Sequence, residues 1–148
     1  MKIIKIILVI LWMILIFIFS NQPADDSSKL SDGIILKTVR FVEKIVDKDF
    51  NDEEVLEKFV KPVRKLAHFT IYLILGLLVI WMLQDYDFNI KKQMIISVLI
   101  CILYACSDEI HQLFISGRSG EIMDVFIDSL GSYIGINIFV IIKKYQKL

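Results

Sequence analysis

The residues able to do chemistry recur at helical spacing. Lys65, His68 and Tyr72 stand at i, i+3 and i+7, on one face of a helix. Asp108 and His111 are three apart, and Glu109 and Gln112 form a second such pair on an adjacent face. Arg118 lies in the short turn Ser116-Gly117-Arg118-Ser119-Gly120; Asp124, Asp128, Gly131 and Gly135 follow on one face of a later helix. Ser20 and Gln22 close the first apolar block.

Several chemistries are open to this set. An imidazole, His68 or His111, beside Asp108, Glu109 or Asp124 has the makings of a general base. The nucleophiles at hand, Ser20, Ser107 and Ser119, sit in no nucleophile elbow. Two histidines near carboxylates also raise the question of a metal. However, His-Glu-x-x-His is absent and Glu109 and His111 point about 200° apart on a helix, so neither metal nor other cofactor is expected. Arg118 and Lys65 suit a phosphate, which a guanidinium grips as a planar fork. Ser20, Gln22, Tyr72, Gln112 and Asp128 complete the expected ligand-binding set. The less specific alternative is a structural network, Arg118 and Lys65 paired with Asp108 and Asp124, that locks the helices together.

The elements that position these groups are apolar blocks at 3–19, 66–83, 93–115 and 122–142. The first is broken only by Lys5, and its 17 residues reach about 26 Å, close to the roughly 30 Å hydrocarbon core. Lys2 and Lys5 would also suit a signal peptide. Ser20-Asn21-Gln22-Pro23-Ala24-Asp25 offers no small-x-small cleavage site, so an uncleaved span is expected. The second block ends at Trp81, a residue suited to an interface. The third is ambiguous: its clean part, 94–106, extends only about 20 Å. It is either re-entrant or a full span that carries Asp108, Glu109 and His111 inside the protein.

Of the 148 residues 56% are apolar, with mean hydropathy +0.65, and the apolar residues come in blocks. Seventeen Lys and Arg balance seventeen Asp and Glu, which excludes a nucleic-acid binder with a basic surplus. The composition describes an all-α integral membrane protein of one domain, 1–148, with four transmembrane helices. Lys2, Lys5, Lys91, Lys92, Lys143, Lys144 and Lys147 fall on one side, which the positive-inside rule makes cytoplasmic, together with both termini. The segment 21–65 then lies outside. It carries Ile34, Ile35, Val39, Val42, Ile45 and Val46 at helical spacing, then an N-cap at Asn51 and an apolar stripe, Val55, Leu56, Phe59 and Val60, that ends at Pro62. Two amphipathic helices, lying on the outer leaflet or capping the bundle, are expected. Cys101 and Cys106 are five apart in an apolar span and are expected to be small buried hydrophobes. All the polar positions within the spans gather at the outer end. Each charge left facing lipid there would cost roughly 2.5–3.5 kcal/mol, so the set should face inward.

At this point the motifs resemble the VanZ-like family. Ser20-Asn21-Gln22-Pro23, Arg64-Lys65-Leu66-Ala67-His68-Phe69, the run Ser107-Asp108-Glu109-Ile110-His111-Gln112-Leu113-Phe114, Gly117-Arg118-Ser119-Gly120, Asp124-Val125 and Asp128-Ser129-Leu130-Gly131 carry the resemblance. It covers nearly all the chain outside 25–63. Ser116 stands where members often have proline, and Ile71 where many have glutamate, so no role of that glutamate transfers here. The resemblance implies a small multi-pass membrane protein and, from the founding member, low-level resistance to the glycopeptide teicoplanin. It carries a phenotype and a motif but no assigned reaction. The expectation is therefore an outward-facing site in the cell membrane for a phosphate-bearing envelope lipid or lipid-linked precursor. The alternatives are a membrane-embedded enzyme with a His/carboxylate base, and an assembly partner for another membrane protein.

Overall fold

The computed structural model describes residues 2–46, 50–118 and 120–146; of the residues named above, Ser119 and Lys147 lie outside them. Five helices follow one another: α1 (Lys2–Ser20), α2 (Ala24–Val46), α3 (Asp52–Leu83), α4 (Ile90–Gln112) and α5 (Ile122–Tyr145). All except α2 are long and apolar enough to cross a membrane. Their outer faces carry rows of exposed apolar residues, Leu11, Ile14 and Ile18 on α1 and Ile95, Leu99 and Leu103 on α4. In a water-soluble protein such rows would be a liability; in a bilayer they are the solvated surface.

One expectation requires correction. The amphipathic stripe does not end at Pro62. Asn51 caps the helix as expected, its side chain accepting from the Glu53 N–H at 3.1 Å, but α3 then runs unbroken for 32 residues. Proline removes one i→i−4 bond. Here that loss is outweighed by side chains on both sides of Pro62: Val55, Phe59 and Val63 face Ile35 and Val39 of α2 along one apolar seam. Arg40 reaches Asp52 at 2.6 Å, and Glu43 accepts from the Phe50 N–H at 2.9 Å, tying the end of α2 to the start of α3. The third apolar block, open in sequence between a re-entrant segment and a full span, is one continuous helix long enough to span. α4 is continuous for 23 residues, about 34 Å, with Asp108, Glu109 and Gln112 buried on its inner face.

The bundle is tightest where α3 meets α5. A Cβ on Gly131 would strike the Phe69 carbonyl, one on Gly135 the Leu73 carbonyl, and one on Gly76 the Ser132 carbonyl. The Gly131-x-x-x-Gly135 spacing is thus a packing device. α1 is fixed by polar handles: Trp12 Nε1 donates to the Ile71 carbonyl at 3.0 Å, and Tyr104 donates to the Met13 carbonyl at 2.5 Å. Cys101 is buried beneath this layer while Cys106 is only half-buried, and both are free. At the end away from α2, buried Lys5 pairs with Asp85 at 2.6 Å and donates to the Trp81 carbonyl. Lys2 lies over the Tyr86 ring, and Lys143 and Lys144 share a cleft with Ile90 and Gln93, so both chain ends lie beside the α3–α4 connection.

Gly135→Ala should lower the stability of the detergent-solubilised protein by about 1–3 kcal/mol, because two backbones must separate. Gly33→Ala meets nothing within 4 Å and should instead stabilise α2 by about 0.5–1 kcal/mol. Thermal unfolding of the pair tests the packing, and equal midpoints would contradict it.

Candidate functional site

Each long helix contributes to one polar end. α1 ends there at buried Ser20; α3 brings Arg64, Lys65 and His68; α4 brings Asp108, Glu109 and Gln112; α5 begins there with Asp124 and Asp128. The side chains meet because each set repeats at three or four residues and so lies on a single helix face. Four carboxylates, Asp108, Glu109, Asp124 and Asp128, are buried in this small volume.

The rim and the interior treat their charges differently. At the rim, Arg64 lies 3.7 Å from Asp124 and 4.0 Å from Glu121, and Lys65 lies 3.6 and 3.7 Å from the same two residues. Two cations thus straddle two carboxylates and fasten α3 to the start of α5. Deeper in, Glu109 accepts from the Glu121 N–H at 2.8 Å and from the Gln112 amide at 3.2 Å; the same amide reaches Asp108 at 3.4 Å. At the centre, His68 Nδ1 is 3.5 Å from Asp128 Oδ1. Asp128 is wholly buried and neither of its oxygens accepts a hydrogen bond. A donor nitrogen of His68 and carboxylate oxygens of Glu109 and Asp128 lie within 4.8 Å of one another, the spacing of a set able to close on a cation.

Two chambers lie at this end of the bundle. One, of about 240 Å³, runs under α2 between apolar walls, Ile16, Phe19, Ile34, Val63 and Ile71, with His68, Asp108 and Gln22 at its polar side. The other, of about 290 Å³, is lined by Lys61, Arg64, Lys65, Arg118, Gln112 and Glu121. Arg64 and Arg118 border both. Gly117, at φ 74°, turns the chain in the left-handed region that glycine tolerates, and Arg118 follows it. Arg118 donates to the Phe19 carbonyl at 3.3 Å, and its Nε is buried with no acceptor. Burial, and then the neighbouring charge of Arg64, lower its pKa from the ordinary value, although a guanidinium stays charged throughout the accessible range.

The expected site residues therefore divide into groups. His68, Glu109 and Asp128 converge, and Lys65 joins Asp124 at the rim. Asp108 faces Ser20 on one side and Gln112 on the other. Tyr72 is buried below them with its hydroxyl unpartnered. His111 does not join its supposed companion Asp108: it sits 3.2 Å from the Asn21 side chain with its ring against Phe17. Residues three apart still differ by about 60° around a helix, enough to place them in different interfaces. Of the possible nucleophiles, Ser107 is exposed and bonded to the Tyr104 carbonyl, while the Ser20 hydroxyl is buried without a partner. Among the described residues Arg118 forms no ion pair with Asp108, so only the Lys65–Asp124 half of the expected lock is present. Arg64 and Glu121 were not among the expected site residues. The signal for Arg64 was its place four residues before His68 and eight before Tyr72, on their helix face.

Removing the buried partner of the rim should tell lock from ornament. Asp124→Asn should cost roughly 1–3 kcal/mol, less than a fully buried pair because Arg64 and Lys65 are about a third exposed. Glu121→Gln, which changes a half-exposed carboxylate, should cost under about 1 kcal/mol. Wild-type stability in Asp124→Asn would show that the rim fastens nothing.

A family model described as VanZ/LLP1 matches residues 5–143, which takes in the polar end and all five helices. Neither a curated protein nor a solved structure matches the chain. This chain, a multi-pass helical membrane protein, belongs to the VanZ/LLP1 family.

Proposed function

We propose that the protein binds an anionic amphiphile of the cell envelope, a phosphate-bearing lipid or lipid-linked precursor. The phosphate sits in the cationic chamber and the first part of the apolar chain lies under α2. The observation that carries this reading is the shared wall: Arg64 and Arg118 border both the cationic chamber and the apolar one. A ligand with a charged head and an apolar tail matches such adjacent volumes. Arg118 is its main anchor, because its Nε is buried without an acceptor and a desolvated guanidinium gains most from a bidentate anion. Lys65 acts as support, since Asp124 and Glu121 already engage it. In this reading the chambers face outward and both termini are cytoplasmic, which the lysines at 2, 5, 91, 92, 143, 144 and 147 support. Sequestering or shielding such a precursor is the route by which the protein would contribute to teicoplanin-type resistance.

A second reading is favoured by the His68–Asp128 contact at 3.5 Å, an arrangement in which Asp128 orients an imidazole base. In an enzyme of this kind His68→Gln abolishes turnover while ligand affinity survives.

Purified protein in detergent should bind dioctanoyl phosphatidic acid and discriminate against dioctanoylglycerol. Arg118→Gln should weaken the former about tenfold or more, the value of a charge-assisted hydrogen bond, and leave the latter unchanged. Equal binding of the two lipids by the wild type would end the phosphate reading. Orientation is tested separately with an impermeant thiol reagent on intact cells, in a background lacking Cys101 and Cys106. Arg118→Cys and Ile71→Cys should label readily and Asp108→Cys slowly, in keeping with its burial. Labelling of all three only after lysis would invert the topology.

A further inference from the structure

We propose that His68, Glu109 and Asp128 form a binding site for one divalent transition cation, Zn²⁺ or Mn²⁺. The three come from three different helices, α3, α4 and α5, and their donor atoms already lie within 4.8 Å of one another. Tetrahedral coordination with bonds of about 2.0–2.2 Å would bring them to about 3.4 Å apart, which side-chain rotations of about 1 Å supply.

The surroundings are those of a cation site. Asp128 has no exposed surface, neither oxygen accepts a hydrogen bond, and the side chain nearest to compensating it is the His68 imidazole 3.5 Å away. A buried carboxylate with so little compensation carries a large desolvation cost, and a divalent ion is the most compact group able to offset it. Glu109 is the contrasting ligand. Each of its oxygens already accepts one hydrogen bond, from the Glu121 N–H and the Gln112 amide, which fixes its orientation and leaves lone pairs for a metal. The rim cations do not compete for this role, because Arg64 and Lys65 face Asp124 and Glu121. Among the described residues Asp108, Glu109 and Asp128 therefore form no ion pair with a lysine or arginine, and Arg118 donates instead to a backbone carbonyl.

One imidazole nitrogen and two carboxylate oxygens form a mixed donor set that suits borderline ions better than calcium or copper(I). Three protein ligands also leave a coordination position open, as in catalytic rather than structural zinc sites. His68 lines the apolar-walled chamber, so the open position faces a space also bordered by Asp108 and Arg118. The site does not depend on the amphiphile reading and is tested without any lipid.

Full-length protein in detergent, stripped with chelator, is dialysed against about 10 µM Zn²⁺ or Mn²⁺ and its metal counted. Wild type should retain about one ion per chain and gain thermal stability from it. His68→Gln and Glu109→Gln should lose affinity by at least about a hundredfold, whereas His111→Gln, a histidine change on the same helix as Glu109 but turned toward Asn21, should bind normally. Wild-type occupancy near zero, or equal occupancy in His68→Gln and His111→Gln, overturns the site. Should the ligand variants fail to fold, X-ray absorption on the metal-loaded wild type decides. One nitrogen and a majority of oxygen neighbours support the assignment, and sulfur or two imidazoles refute it.

Discussion

The backbones of α3 and α5 touch because three positions between them lack a side chain. Gly76, Gly131 and Gly135 each stand where a Cβ would meet a carbonyl of the opposite helix. The two helices run parallel in this contact, so the residues one and two turns before Gly131 face those before Phe69. This register brings Asp128 to His68 and Asp124 to Arg64 and Lys65. Small residues and charged residues are therefore two parts of one interface. If the backbones parted by the width of a methyl group, the ionic distances of 3.5–4.0 Å would lengthen where dielectric screening is weakest.

Around that interface the buried carboxylates differ in their compensation. Asp124 is paired with Arg64 and Lys65, Glu109 accepts two neutral hydrogen bonds, and Asp128 has only the His68 contact. A purely structural network would place its best compensation where burial is deepest, because an uncompensated charge there is the most destabilising. Here Asp128, which has no exposed surface, is the least compensated of the four. The opposite end of the bundle obeys the usual economy: buried Lys5 meets Asp85 at 2.6 Å and closes the fold. Lys5 is thus a packed structural ion.

Apolar blocks broken by few polar residues made the four long apolar helices legible in the sequence. The continuity of α4 was obscured by the chemistry it carries. Hydropathy treats a carboxylate facing the protein interior and one facing lipid alike, and Asp108 and Glu109 are of the first kind. α3 was misread at Pro62, where a local rule yielded to packing against α2 on either side. Among site residues, spacing recovered the faces that hold Lys65, His68, Asp124 and Asp128. It placed His111 beside Asp108, whereas His111 meets Asn21, because spacing gives a helix face but not the neighbour which that face meets. The convergence of His68, Glu109 and Asp128 depends on how three helices are rotated against one another, a property no single helix encodes.

The unbroken length of α3 has a mechanical consequence. Its 32 residues span about 48 Å, some 18 Å more than a hydrocarbon core, so its first turns stand clear of the bilayer as a mast on which α2 is mounted. Pro62 and Lys58 are both exposed on that mast, and proline leaves the Lys58 carbonyl without its usual partner. At this height water can satisfy the orphaned oxygen. Two turns further along, the same proline would present a bare carbonyl to lipid at a cost of several kcal/mol. The imino acid thus marks the waterline of the helix: above it the rod can give, and below it the rod must stay stiff.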